Sequence, residues 1–523
     1  MKLISLIASA QGERGKAMLT GKGGVYASDD LRGAVALTIR RWQGAGIASG
    51  QRILLIADHD EQALFALAAA SALGLQVVMP YNLADTAVQE WQDLHGLVRP
   101  DHVLYVKSDP VAADALQAQG IASLRSRVDP ASARAARHDS LVVAAPDPVE
   151  HFLMLFSSGT TARPKAISIS EALICRRIAS VTRRLSFRAD SRIFQSGLMN
   201  NTTGIIFSFG SVLHGASLFY PEGRDVSRWP AQMARLGITH AMLRPVTLQR
   251  FLNAMVRDDV CLEQMQVMAY GAAPLPLSVL EEARRRIGCD WVQGYGLSET
   301  FGPFCWLTES DHRMGLPQRQ LHCVGRPDDT LEVALRDGAA APVPPTPGAE
   351  GEVVLRGDGL MAGYFDAGLS GVEPLPEWFP TGDYACIGPD GEWVLKGRIS
   401  ESLLTPNGHR IYPEEVEGVL AAVPGIGEVV LAGWPACGGF GEHPVACIYP
   451  NSAADTPDAL LARIRSRLRQ TLSEEKWPSF LFVSAAPFPR NANDKIVRRA
   501  VAGALVEASL ITIQMAEMNH ATV

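Results

Sequence analysis

At 523 residues the chain is longer than one hydrophobic core usually serves, so more than one domain is expected. Its 47% hydrophobic and 20% charged residues describe an ordinary globular protein and exclude a disordered chain. The formal net charge of -7 leaves no basic surplus for nucleic acid or an anionic membrane, and neither is expected as a partner. Eight cysteines lie scattered with no C-x-x-C pair, which reads as reduced thiols in a cytoplasm and not as a disulfide or zinc framework.

The first ten residues, MKLISLIASA, have the outline of a signal peptide, but the apolar run is too short for one. The most apolar long stretch, 63–80, is interrupted by Ser71, Gly74 and Gln76. It predicts a buried helix followed by a strand at 77–79, not a membrane span. From about 30 to 250, helical patterns alternate with short apolar strands at 52–56, 77–79, 102–106, from Gly197 onward, and at 217–220. Such alternation predicts parallel sheets covered by helices. Between 323 and 397 the texture changes to short strands with Gly/Pro turns. There 331–335 and 351–355 flank a Pro-rich loop as a hairpin in a small β-rich subdomain. An Asn407-Gly408 turn, a helix from Pro413, strands near 427–433 and 445–449 and a helix near 457–474 then predict a separate small α+β domain. The expected class is α/β: residues 1–397 form a large domain of two helix-covered sheets, 398–510 a small mobile domain, and 511–523 a tail.

The chemistry-bearing stretches begin at FSSGTTARPK, residues 156–165. An apolar strand precedes it at 151–156, and an alternating strand follows at 166–170. The hydroxyls of Ser157, Ser158, Thr160 and Thr161, the backbone at Gly159 and the Lys165 ammonium suit a phosphate clamp. It is not a Walker loop, because Lys165 lacks a preceding Gly and a following Ser or Thr. Alone, a Ser/Thr/Gly cluster between strands is also a plain turn. At 271–273 the small residues Gly271, Ala272 and Ala273 let a flat ring lie against the backbone. Tyr295, Gly296, Ser298, Glu299 and Thr300 place an aromatic face, hydroxyls and a carboxylate within six residues. Asp383 follows as a carboxylate in a turn, and Arg398 and Lys495 add cations far downstream.

In this order the stretches resemble the core motifs of the adenylate-forming superfamily: acyl- and aryl-CoA ligases, peptide-synthetase adenylation domains and beetle luciferase. The resemblance covers nearly the whole chain. Residues 157–165 are similar to its phosphate loop and 295–299 to its Y-G-x-T-E. Residues 381–383, 397–398, the Gly408 loop and 489–495 are similar to its remaining motifs. Ala162 and Ala166 stand where the loop usually has Gly, and Ser298 replaces Thr. Ser400 stands at the hinge position, usually Asp or Lys, and Asp494 replaces the Gly before the terminal lysine.

The resemblance implies a two-step reaction. A carboxylate attacks the α-phosphate of ATP to give an acyl-adenylate and pyrophosphate; a thiol then attacks the acyl carbon and releases AMP. It assigns Lys495 to the acid carboxylate and the α-phosphate, Ser298 to the α-phosphate with Thr300 as helper, and Glu299 to Mg²⁺. Residues 157–161 and Lys165 take the β- and γ-phosphates. Tyr295, with Gly296 and the 271–273 backbone, takes adenine, and Asp383 and Arg398 take the ribose. Between the steps the small domain rotates about Ser400, withdrawing Lys495 and bringing the Gly408 loop to the thiol channel.

The implied acid pocket is lined by Asn200, Asn201, Thr202, Thr203, Ile206, Gly294, Gly302 and Pro303. Thr202 stands about where amino-acid-activating domains keep an Asp for the substrate ammonium, and no acid falls between Met199 and Phe209. A buried ammonium without a partner is costly, so an aryl or apolar acid is expected. The acceptor is CoA, or the phosphopantetheine of a separate acyl or peptidyl carrier protein, and the enzyme is expected as a monomer or homodimer. Three alternatives stay open: an α- or β-amino acid adenylation enzyme loading a carrier protein, an adenylate-former without thioester activity, and a non-catalytic interaction protein.

Overall fold

The computed structural model describes residues 1–9, 17–80, 95–108, 123–137, 141, 143, 147–156, 165–319, 322–338, 340–366, 371–435, 441–451, 457–490, 496–507 and 513–514. Two large sheets dominate them. The eight-stranded sheet has a parallel centre in which Arg52–Ile56 pairs with Gln76–Val78 on one side and His102–Tyr105 on the other. The thirteen-stranded sheet runs parallel through Ser217–Phe219, Arg192–Phe194, His240–Leu243, Val267–Gly271 and Asp290–Leu297. One core joins Ile53 and Leu55 of the first sheet to Val267 and Val292 of the second through the helices between them. Helix Glu61–Leu73 is buried at every position, which is why 63–80 reads as apolar without spanning anything.

Three features differ from the sequence expectation. Of the strands in 323–397, Glu332–Arg336, Glu350–Arg356, Phe379–Ile387 and Trp393–Arg398 continue the thirteen-stranded sheet through Cys323–Pro327, which pairs with Gly302–Leu307 on one side and Trp393–Arg398 on the other, whereas Gly363–Asp366 and Gly371–Glu373 join the eight-stranded sheet. Gly197 begins no strand; the strand lies just before it, at Arg192–Phe194, and helix Thr202–His214 follows. Gln195 turns the chain between them by accepting the Gly197 N–H at 2.7 Å. Within the expected tail, Ile513–Gln514 pairs as an edge strand with Phe480–Val483.

The apolar start has its own explanation. Leu3–Ala8 is a helix whose Leu3, Ile4, Leu6 and Ile7 are buried in the main core. The Leu3 N–H donates to Glu171 Oε1 at 2.9 Å and the Ile4 N–H to Ser71 Oγ at 3.0 Å, so this helix start is held by side chains.

After Arg398 the chain builds a sheet of Ile426–Pro435, Glu442–Pro450, Phe480–Val483 and Ile513–Gln514. Its residues alternate faces. Leu431, Ala446 and Ile448 meet helices Pro413–Ala421 and Pro457–Thr471, whereas Val430, Ala432 and Cys447 meet helix Arg498–Glu507. At the junction with the large domain, Tyr384 and Tyr412 stack with centroids 4.8 Å apart, and Lys396 pairs with Glu415 at 3.3 Å.

Candidate active site

The two strands that bracket the hydroxyl-rich loop form the expected hairpin. Leu153–Phe156 and Ala166–Ile169 are antiparallel, with Phe156 opposite Ala166. Residues 157–161 lie outside the described residues, as does Lys495; Lys165, where the loop ends, is described and exposed. Its ammonium sits 4.8 Å from the centre of the Tyr364 ring.

At a run of glycines three strands approach too closely for side chains. Gly271 and Gly294 are register partners, and a Cβ on Gly271 would come within 2.4 Å of the Gly294 carbonyl oxygen. A Cβ on Gly294 would meet Pro303 at 2.7 Å, and one on Gly296 the Gly302 carbonyl at 2.2 Å. Ala272, just past the strand end, has φ 66°, a left-handed conformation uncommon outside glycine. Tyr295 stands in the same strand as Gly294, its ring edge-on to Phe304 with centroids 5.1 Å apart.

Asp383 ties this strand to Arg398. The Tyr295 hydroxyl donates to Asp383 Oδ2 at 2.6 Å, and Arg398 Nε pairs with Oδ1 at 2.7 Å. Asp383 and Arg398 are cross-strand partners, so two motifs fifteen residues apart in sequence face each other by register. Burial, with the Asp383 carboxylate beside it, pushes the Tyr295 phenol well above its usual range, which keeps it a donor. The turn is held from behind. Thr381 Oγ1 donates to the Val353 carbonyl at 2.8 Å and accepts the Asp383 N–H at 3.0 Å, while Gly382 takes φ 75°.

Ser298, Glu299 and Thr300 form the turn between Asp290–Leu297 and Gly302–Leu307. Thr300 is fully buried, its hydroxyl spent on the Leu297 and Gly302 carbonyls at 3.0 and 2.7 Å. It shapes the turn, and the structure gives it no outward-facing hydroxyl. Glu299 is held at both ends: its carbonyl accepts the Met361 N–H at 2.7 Å and its Oε1 accepts the Tyr364 hydroxyl at 2.9 Å.

The expected acid pocket gathers at the start of helix Thr202–His214. Asn201 caps it, Oδ1 accepting the Gly204 N–H at 3.2 Å, and Asn200 donates to the Pro80 carbonyl at 2.8 Å. Thr202 and Thr203 are half-buried, whereas Ile206 is buried against Gly302, where an added Cβ would meet Ile206 Cδ1 at 2.9 Å. Sequence reasoning missed His59. Burial, helped by Arg224, pulls its imidazole down to about 4, and the neutral ring accepts the Met199 N–H on Nδ1 at 2.9 Å. It also missed Tyr364, which in sequence is only an aromatic residue in a β-pattern.

At the boundary, Ser400 is exposed in the 3₁₀ turn Ile399–Glu401 directly after Arg398. Gly408 has φ 81° at the tip of the hairpin joining Leu403–Leu404 to Arg410–Ile411, with open space around it. Among the described residues no cluster of three metal-binding side chains occurs, and no helix is long and apolar enough to cross a membrane.

A family model described as AMP-binding enzyme matches residues 30–365. The chain belongs to the AMP-binding enzyme family. Among relatives of this AMP-binding enzyme, the sulfoacetate–CoA ligase of Cupriavidus necator is 27% identical over 478 residues, 88% of each chain. The 2-succinylbenzoate–CoA ligase of Bacillus pumilus is 26% identical over 352 residues, 66% of this chain and 67% of that protein. The fold is shared with the anthranilate–CoA ligase AuaEII in complex with anthranoyl-AMP, at TM-score 0.83 and 19% identity over 98% of each chain. It is shared also with the o-succinylbenzoate–CoA synthetase of Bacillus subtilis bound to its acyl-adenylate, at TM-score 0.77 and 19% identity, covering 96% of this chain and 97% of that one.

Proposed function

We propose that this AMP-binding enzyme condenses ATP with a carboxylic acid lacking an α-amino group, releases pyrophosphate, and passes the acyl group from the adenylate to a thiol. The observation that carries the reading is the linkage of Tyr295, Asp383 and Arg398 on strands next to the side-chain-free backbone of Gly271 and Gly294. A flat base would lie against that backbone, where Gly271 and Gly294 carry no side chain. Asp383 presents paired carboxylate oxygens to vicinal hydroxyls, and Arg398 adds a donor next to them.

Glu299 fits a hard divalent ion that is otherwise held by phosphate oxygens, since one or two carboxylates suffice in such sites. Magnesium, when bound, neutralises charge on the phosphates. Ser298 donates to the α-phosphate, and Lys165 with the hydroxyls of 157–161 holds the departing pyrophosphate. Lys495 brings its ammonium between the acid carboxylate and the α-phosphate, the point at which two anions must meet.

The acid is read from what lines its pocket. No carboxylate lies between Met199 and Phe209 to pair with an ammonium, and the acids named in the relatives above lack an α-amino group. Exchange of labelled pyrophosphate into ATP across a panel of acids tests this. Aryl, acyl or sulfonated acids should support exchange well above every proteinogenic amino acid, and a strong signal with an α-amino acid overturns the pocket reading. Adding CoA, or a phosphopantetheinylated carrier protein, then identifies the acceptor. One relative, the fatty acid–[acyl-carrier-protein] ligase ScoC of Streptomyces coeruleorubidus, keeps the carrier arm in the design at 29% identity over 356 residues.

The ribose assignment makes a separate prediction. Asp383→Ala strands the Tyr295 hydroxyl and removes a charged acceptor, and one such hydrogen bond is worth about 1.5–3 kcal/mol. The KM for ATP should therefore rise about 10–100-fold, with the KM for the acid nearly unchanged. A variant whose two KM values rise together places Asp383 in general folding instead.

A further inference from the structure

We infer that Tyr364 is a positioning residue that holds the Glu299 carboxylate and the Lys165 ammonium apart, each ready for its own partner. The inference rests on reading Glu299 as the carboxylate that binds magnesium. Three observations converge on the ring. Its hydroxyl donates to Glu299 Oε1 at 2.9 Å, its face carries the Lys165 ammonium at 4.8 Å, and its backbone is pinned on both sides. The pinning is specific: Met361 N–H donates to the Glu299 carbonyl at 2.7 Å, and Ala362 N–H to the Ser168 carbonyl at 2.8 Å. Strand Gly363–Asp366 then runs antiparallel to Ala166–Ile169, the strand that leaves the phosphate loop, with Tyr364 opposite Ile167.

The physical reason for such an arrangement lies in the charges. A lysine and a glutamate that meet the same tyrosine side chain would gain by forming an ion pair, and that pair would occupy the carboxylate needed by the cation and the ammonium needed by phosphate. Among the described residues, Lys165 has no carboxylate partner within 4.0 Å. The tyrosine satisfies both groups weakly instead. A ring face attracts an ammonium by roughly 0.5–1 kcal/mol at an exposed site, little enough to yield to a phosphate. One phenol donor occupies a single carboxylate oxygen and fixes the direction in which the other points. Partners of this kind, one step removed from a metal, typically change its affinity by about 10–100-fold when removed.

Tyr364→Phe keeps the ring and removes only the donor. With Mn²⁺ as probe, the free ion measured by electron paramagnetic resonance in the presence of enzyme and ATP but no acid, its affinity should fall about tenfold. The Mg²⁺ concentration for half-maximal exchange should rise by a similar factor. In a Glu299→Ala background the same substitution should have no further effect on Mn²⁺ affinity. Tyr364→Leu should raise the KM for ATP in addition, because Lys165 loses its seat. If Glu299→Ala leaves Mn²⁺ affinity intact, the reading of Glu299 itself fails. If Glu299→Ala weakens Mn²⁺ while Tyr364→Phe leaves both metal measurements unchanged, or the two losses add, the role of Tyr364 is overturned, even where kcat falls.

Discussion

Replacing Lys495 with alanine should lower acid-dependent pyrophosphate exchange by about 10²–10³-fold, the loss expected when one preorganised transition-state donor is removed. Attack by one anion on another builds charge on the α-phosphoryl oxygens, and an ammonium placed there in advance costs no reorganisation when the reaction occurs. The second half-reaction needs no such donor. Thioester formation from a chemically supplied adenylate should therefore survive in Lys495→Ala. The residue lies in the 489–495 motif, outside the described residues, so the assignment stands on the motif, and comparison of the two half-reactions tests it directly. Equal loss in both would assign the lysine to folding or domain docking.

The second large effect concerns a proton at the domain junction. Glu414 opens helix Pro413–Ala421, and its Oε2 is buried with no hydrogen-bond partner among the described residues. It lies against Gly397, where an added Cβ would sit 2.2 Å from that oxygen. Burial, with Glu417 and Glu401 nearby and Arg498 only partly offsetting them, raises its carboxyl from 4.5 to about 7. The folded form therefore binds a proton that the unfolded chain releases between pH 4.5 and 7, so stability falls as pH rises through that window and levels off above it. A shift of this size corresponds to about 3 kcal/mol. Glu414→Gln, which mimics the protonated carboxyl, should raise the midpoint of thermal unfolding at pH 8 and leave it nearly unchanged at pH 5. An equal gain at both pH values would mean that charge at 414 is not what is being relieved.

Local periodicity made much of the fold legible. The run at 52–56 and the hairpin around FSSGTTARPK are where the alternation and the turn residues put them, because a strand buried on both faces shows its own pattern. The stretch from Gly197 misled because Leu198 and Met199 look like a strand in sequence, while the backbone there is turned by Gln195 and capped by Asn201. The unity of the thirteen-stranded sheet was not legible either. Pairing of Cys323–Pro327 with Trp393–Arg398 is a long-range register that no short window encodes. The site divides in the same way. Tyr295, Asp383 and Arg398 each carry a motif, but their joining is a product of register and of an 88-residue separation. Tyr364 and His59 meet partners brought in by the fold, so nothing adjacent to them in sequence marks their place.

The crowding of Gly271, Gly294 and Gly296 also divides the molecule by mutational freedom. A Cβ at any of the three would sit within 2.4, 2.7 or 2.2 Å of a neighbouring atom, so substitution there displaces the strands themselves. Thr202 and Thr203 are half-buried on the first turn of a helix already capped by Asn201. On the proposed reading of the acid pocket, substitutions that change the acid accepted are expected at 202 and 203. A library that also randomises the three glycines will fill with clones whose strand packing is disturbed, whichever acid is offered.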